Sequence, residues 1–167
     1  MADDFRTILV ATDFSEASAA ATSYAFHLAR TLNATLYLLH VVPESDVQVM
    51  LSLRGHLESH IDPDVLVQTY YTDAERRLAE LVESAHAAEF VRERLIVTGQ
   101  PASEIVSWAT AKDVQLIIVG THGRSGLNRV MMGSVAEHVL RLAACPVLVV
   151  PGRPGVDAPQ TAEAAPH

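Results

Sequence analysis

The sequence predicts an α/β protein: a single open, doubly wound, mainly parallel sheet of five strands with helices on both faces. Three observations carry that expectation. Short apolar runs with little polar alternation, at residues 7–12, 35–42, 95–98, 115–120 and 146–150, have the character of strands covered on both faces. Longer stretches with apolar residues at helical spacing separate the runs, which makes βαβ units with right-handed crossovers. A chain of 167 residues with 49% hydrophobic content can also build a real core, since folding at this size removes roughly 70% of the unfolded surface.

The first run leads into a helix over residues 15–32, where Ala17, Ala21, Tyr24, Ala25 and Leu28 recur on one side. Asp13 or Ser15 caps its start and Asn33 ends it. After the second run, residues 43–63 are irregular and read as a variable insertion. Residues 64–89 form a long helix, with Leu78, Leu81, Val82 and Ala85 on one side and Glu75, Arg76, Glu83 and Glu89 among its charges. The third run is followed by a turn over 99–104 and a helix over 105–112. The fourth ends at Gly120. The last helix, 134–144, carries Val135, Val139 and Leu142 as its apolar stripe. The domain is therefore expected over 1–150. Residues 151–167, rich in Pro, Gly and Ala without a period, are expected as a disordered tail. Ligands of such sheets sit at the carboxyl ends of the strands, where the winding reverses. That directs attention to the residues just after Thr12, Val42, Thr98 and Val119.

Composition removes several classes of function. Twelve Lys and Arg against 20 Asp and Glu give a net charge of −8, which lacks the basic face that a nucleic-acid partner requires. The one cysteine, Cys145, excludes an intramolecular disulfide framework and a cysteine-rich zinc module, and is expected as a buried small hydrophobe. No apolar run approaches the roughly 20 residues that span a bilayer. The acidic start, Met1 to Asp4, has neither a basic n-region nor an apolar h-region, so a cytoplasmic protein is expected. His56 and His60 stand four apart, but leucine follows the first where a zincin requires glutamate, so they read as exposed histidines of the insertion. Gly-x-Ser-x-Gly, the context of a hydrolase nucleophile, does not occur.

The densest signal follows the fourth strand: Gly120, Thr121, His122, Gly123, Arg124, Ser125 and Gly126, running on to Met132, Gly133 and Ser134 at a helix start. It is not a dinucleotide fingerprint, whose glycines belong in the first strand-to-helix turn, here Ala11, Thr12, Asp13 and Phe14. It is not a Walker loop either, because the chain's single lysine, Lys112, precedes it. Two readings stay open. One is an anion cradle, in which glycines let backbone approach a phosphate, the helix amides after Gly133 attract it, and Arg124 and Arg129 add positive charge. The other is a plain glycine-rich connection with Ser134 as N-cap. His122 is a phosphate donor or proton shuttle on the first reading, and a packed or exposed side chain on the second.

Gly120-x-x-Gly123, nine residues, then Gly133-Ser134 resembles the spaced glycine motif of the ATP-binding universal stress proteins. Residues 8–15 resemble that family's first strand and turn, 39–42 its second strand, 99–106 its third junction, and 134–139 with 145–150 its ending. The resemblance covers about residues 5–150. It implies the adenine-nucleotide alpha-hydrolase-like fold, with Asp13, together with Ala11 and Thr12 just before it, on the nucleoside and accepting from ribose hydroxyls; as a helix cap Asp13 has an equal claim. Val41 would offer backbone and apolar surface to adenine, and Gly120 would lie against the ribose. His122, Gly123, Arg124, Gly133, Ser134 and Val135 would surround the phosphates, with magnesium held through the phosphates and the Ser134 hydroxyl. Ala11 stands where many relatives carry proline, and Gly126 is extra to the motif. Residues 146–150, a short apolar strand that is an aggregation hazard as a bare edge, would pair with a second copy in a homodimer. The implied function is ATP binding as a regulatory ligand of a stress response, through an unidentified protein partner. Slow or no hydrolysis is expected, because neither a phosphate lysine nor a clear base is evident. Three alternatives remain: a genuine slow ATPase or phosphotransferase in which His122 or Asp13 positions water, a sensor of AMP or cyclic AMP, and a scaffold without nucleotide.

Overall fold

The computed structural model describes residues 5–52, 63–121 and 132–152. Its elements are β1 (Thr7–Ala11), α1 (Glu16–Leu32), β2 (Thr35–Pro43), α2 (Glu44–Ser52), α3 (Pro63–Ser84), β3 (Val91–Gly99), α4 (Pro101–Ala111), β4 (Leu116–Gly120), α5 (Ser134–Leu142) and β5 (Val147–Val150). The five strands form one sheet in the order β3-β2-β1-β4-β5. Every pairing is parallel, with Ile8 beside Leu36 on one side and Leu116 on the other.

Alternate strand residues feed two apolar layers. Ile8, Val10, Leu36, Leu38 and Ile118 pack with Ala25 and Ala29 of α1 and Leu78 and Val82 of α3. Leu9, Leu39, Val41, Ile117 and Val119 pack with Ile105 and Ala109 of α4 and Val139 of α5. The helices change faces where the chain crosses from β3 back past β1 to β4. The winding therefore reverses between β1 and β4, and a crevice opens at their carboxyl ends.

Several boundaries differ from the sequence expectation, each for a physical reason. β3 begins at Val91, four residues before the apolar run, because it is an edge strand whose first half exposes Arg92 and Arg94. Glu93 there receives Lys112 Nζ at 2.8 Å. α3 stops at Ser84; His86 takes a left-handed conformation, φ 48°, and closes a turn into Phe90. α4 starts at Pro101, where a proline needs no amide partner, and the Gln100 carboxamide oxygen accepts from the Ser103 amide at 2.9 Å. Within the expected irregular insertion, residues 44–52 form α2, which buries no residue and so shows no apolar period.

Cys145 is partly buried rather than buried, and its burial pushes the thiol pKa up. Residues 153–167, where the disordered tail was expected, and His56 with His60 lie outside the described residues. Among the described residues no helix is long and apolar enough to cross a membrane.

Candidate functional site

The turn from β1 into α1 is held by its own side chains. Strand pairing ends at Ala11 beside Leu39, and the Thr12 amide makes one further bond, to the Leu39 carbonyl at 2.9 Å. The Thr12 hydroxyl then accepts from the Phe14 amide at 3.1 Å and lies 3.1 Å from the Ser18 hydroxyl. Asp13 Oδ1 accepts from the Ser15 amide at 3.0 Å, a short Asx turn. Ser15, not Asp13, is the N-cap of α1, and its hydroxyl accepts from the Ser18 amide. Phe14 sits at φ 62°, a conformation that costs a bulky residue about 1–2 kcal/mol.

Opposite this turn, the chain leaves β4 through Gly120 and Thr121 and re-enters at Gly133. The Gly133 amide donates to the Thr121 carbonyl, and the Thr121 amide to the Val150 carbonyl at 2.9 Å, so Thr121 and Gly133 are pinned to each other beside β5. Gly133 is the N-cap of α5, extended at φ −64° and ψ 150°, and it has no side chain with which to cap the helix. Ser134 is therefore the first residue of α5 rather than its cap. The first-turn amides carry the positive end of the helix dipole toward the crevice.

Between the two turns lies a cleft of about 340 Å3. Ala11, Thr12 and Asp13 border it from β1, Val41 and Pro43 from β2, Gly120 and Thr121 from the end of β4, and Gly133, Ser134 and Val135 from α5. The structure thus brings eight of the expected site residues, Ala11, Thr12, Asp13, Val41, Gly120, Gly133, Ser134 and Val135, around one space. His122, Gly123 and Arg124 lie outside the described residues.

Sequence reasoning missed Ser18, Asp46, Pro101 and Ile105, which also border the cleft. Asp46 belongs to α2, where no periodic signal existed to find it. The cleft carries charge of both signs at different ends: carboxylates of Asp13 and Asp46 on the β1–β2 side, and helix amides on the α5 side. Such a space can take a ligand with hydroxyl donors at one end and an anion at the other.

The Universal stress protein family matches residues 4–151 of the chain. The chain belongs to that family. Among curated relatives, Universal stress protein YxiE of Bacillus subtilis is 38% identical over 150 residues, covering 87% of this chain and 99% of the relative. The solved structure of MJ0577, a universal stress protein of Methanocaldococcus jannaschii, superposes with a TM-score of 0.74 at 28% identity, over 89% of this chain and 96% of that one. A universal stress protein solved in complex with cAMP shares the fold at a TM-score of 0.60 and 23% identity, over 90% and 99% of the two chains. The doubly wound sheet of this universal stress protein is thus the architecture of solved family members.

Proposed function

We propose that this universal stress protein binds an adenine nucleotide, ATP with magnesium, as a regulatory ligand. The observation that carries the reading is the helix start at Gly133, uncapped by a side chain, facing Asp13 across the cleft. The α5 amides and Ser134 would receive the phosphates, as helix N-termini receive anions. Asp13 would accept from the ribose hydroxyls, and Val41 would lie against adenine. A volume of about 340 Å3 falls within the roughly 300–1,000 Å3 of small-molecule sites. Magnesium, an oxygen-seeking ion, fits a donor set of phosphate oxygens and the Ser134 hydroxyl. His122, Gly123 and Arg124, outside the described residues, would complete the phosphate side on this reading.

Slow or no hydrolysis goes with this reading, because the sequence offers neither a phosphate lysine nor a clear base. Among the described residues the lining of the cleft has no lysine, arginine or histidine. Lys112 stands at the far end of α4, beside Glu93. The nucleotide then acts by favouring one conformer or partner surface. A homodimer through residues 146–150 and a cytoplasmic setting belong to the same reading. The dimer is supported by a groove of about 800 Å3 between α1 and β5, bordered by Tyr24, His27 and Leu148.

Native mass spectrometry of the freshly purified protein, with release and identification of bound nucleotide, tests this. A dimer carrying about one ATP per chain is the expected result. A protein that is empty and refuses added ATP sinks the proposal. A sensor of AMP or cAMP is the second reading, since the fold accommodates cAMP in one solved member. Competition decides: a triphosphate site loses affinity as phosphates are removed, and a monophosphate site does not.

A further inference from the structure

His40, in β2, is only 1% exposed, and its side chain lies on the opposite face of the sheet from the Val41 side chain that borders the cleft. It cannot reach a ligand there, yet it touches the turn that presents one. Its Nδ1 lies 2.8 Å from the Thr12 carbonyl oxygen. A carbonyl only accepts, so Nδ1 carries the proton and donates. Thr12 is thereby gripped twice by β2: its amide by the Leu39 carbonyl, its carbonyl by the imidazole. In a continuing parallel ladder a backbone amide of β2 would take that carbonyl. The imidazole stands in for it at the point where β1 leaves the sheet, one residue before Asp13.

The surroundings fix the ring. Phe14, the residue with positive φ, packs on it with centroids 4.5 Å apart, and Tyr70 of α3 stacks at 6.4 Å. The Arg77 guanidinium carbon lies 4.0 Å from the Phe14 centroid. The turn residues on either side of Asp13 are both held from beneath by His40, one through a hydrogen bond and the other through ring contact.

We propose that His40 is a positioning residue for the nucleotide site: by holding the Thr12 carbonyl and the Phe14 ring it sets the direction of the Asp13 carboxylate toward the ribose. The inference rests on the adenine-nucleotide reading above. Loss of one hydrogen bond of about 1 kcal/mol corresponds to roughly fivefold in affinity. His40→Leu is therefore expected to weaken Mg-ATP binding by about that factor. It is also expected to erase most of the preference for ATP over 2′,3′-dideoxy-ATP, a readout that a general loss of packing does not move. His40→Asn, whose side-chain nitrogen falls where Nδ1 stands but which lacks the ring against Phe14, should restore both in part.

A folded His40→Leu protein that keeps the ribose preference overturns the inference, as does an asparagine variant that rescues nothing. Should the leucine variant fail to fold, nitrogen-15 spectra of the unmutated protein decide: the neutral ring protonated at Nδ1 supports the role, and the Nε2–H tautomer overturns it. A wild-type protein that binds no adenine nucleotide overturns the underlying reading and the role with it. Binding with an unmoved ribose preference in a folded His40→Leu protein overturns the role alone.

Discussion

A methyl group placed on Gly120 would lie 2.8 Å from the backbone carbon and oxygen of Ala17 and 3.0 Å from the Ser18 amide nitrogen. Helix α1 has no side chain there to yield, so this glycine is required for packing whatever it does for a ligand. Gly120→Ala is expected to cost about 1–3 kcal/mol of stability, as overpacking does, and thermal denaturation without ligand checks it. Sequence alone points to the phosphate loop, because a glycine needed by a neighbouring helix and one needed by a ligand look identical in one chain. Asp13 and Ser15 present the same ambiguity, and here geometry divides the work. Ser15→Ala removes the α1 cap and should cost about 1 kcal/mol of stability while leaving nucleotide affinity near wild type. Asp13→Ala should lower affinity for ATP more than for its dideoxy analogue, read by calorimetric titration. Equal losses for both ligands would remove Asp13 from the ribose.

At the scale of elements, the start of α5 offers a test in which stability and binding move oppositely. Gly133 holds an extended conformation open to any residue. Gly133→Asp would supply the missing cap and gain about a few tenths of a kcal/mol. Its carboxylate would also occupy the amides proposed for phosphate and repel the ligand's charge. Melting temperature should rise slightly while ATP affinity drops at least about tenfold and adenosine affinity changes little; an ATP affinity that holds would move the phosphates elsewhere. Elements were legible where burial left a pattern. β1, β2 and β4 are sealed by helices and read as apolar runs, and α1 and α5 carry stripes. The first half of β3, with alternating charges at a sheet edge, and α2, which buries nothing, leave no such trace. The cleft followed the same logic: the strand-end residues and Gly133 to Val135 that the sequence singled out border it, Asp46 left no signal, and Gly123 lies outside the described residues.

For the molecule as a whole, the two flanks of the sheet differ. β3 ends the sheet with charged residues and the Lys112–Glu93 pair, whereas β5 ends it with Val147, Leu148, Val149 and Val150. A second copy covering the β5 flank should bury the groove beside α1, where Tyr24 is 57% exposed. Tyr24→Asp should leave the chain's own stability unchanged and shift sedimentation equilibrium from dimer toward monomer. A wild-type protein that sediments as a monomer at micromolar concentration would end the dimer proposal.

The cleft lies across the join of β1 and β4, and that join unites distant parts of the chain. The Gln115 carboxamide oxygen accepts from the Thr7 amide, 108 residues earlier in sequence. Closing so long a loop is entropically slow, whereas β1, α1 and β2 can assemble from neighbours. A nucleotide bound as proposed, between Asp13 and α5, would bridge the seam expected to shut last and part first. Its kinetic signature would be a slower unfolding arm with an unchanged refolding arm, so that occupancy lengthens the life of the native fold without hastening its birth.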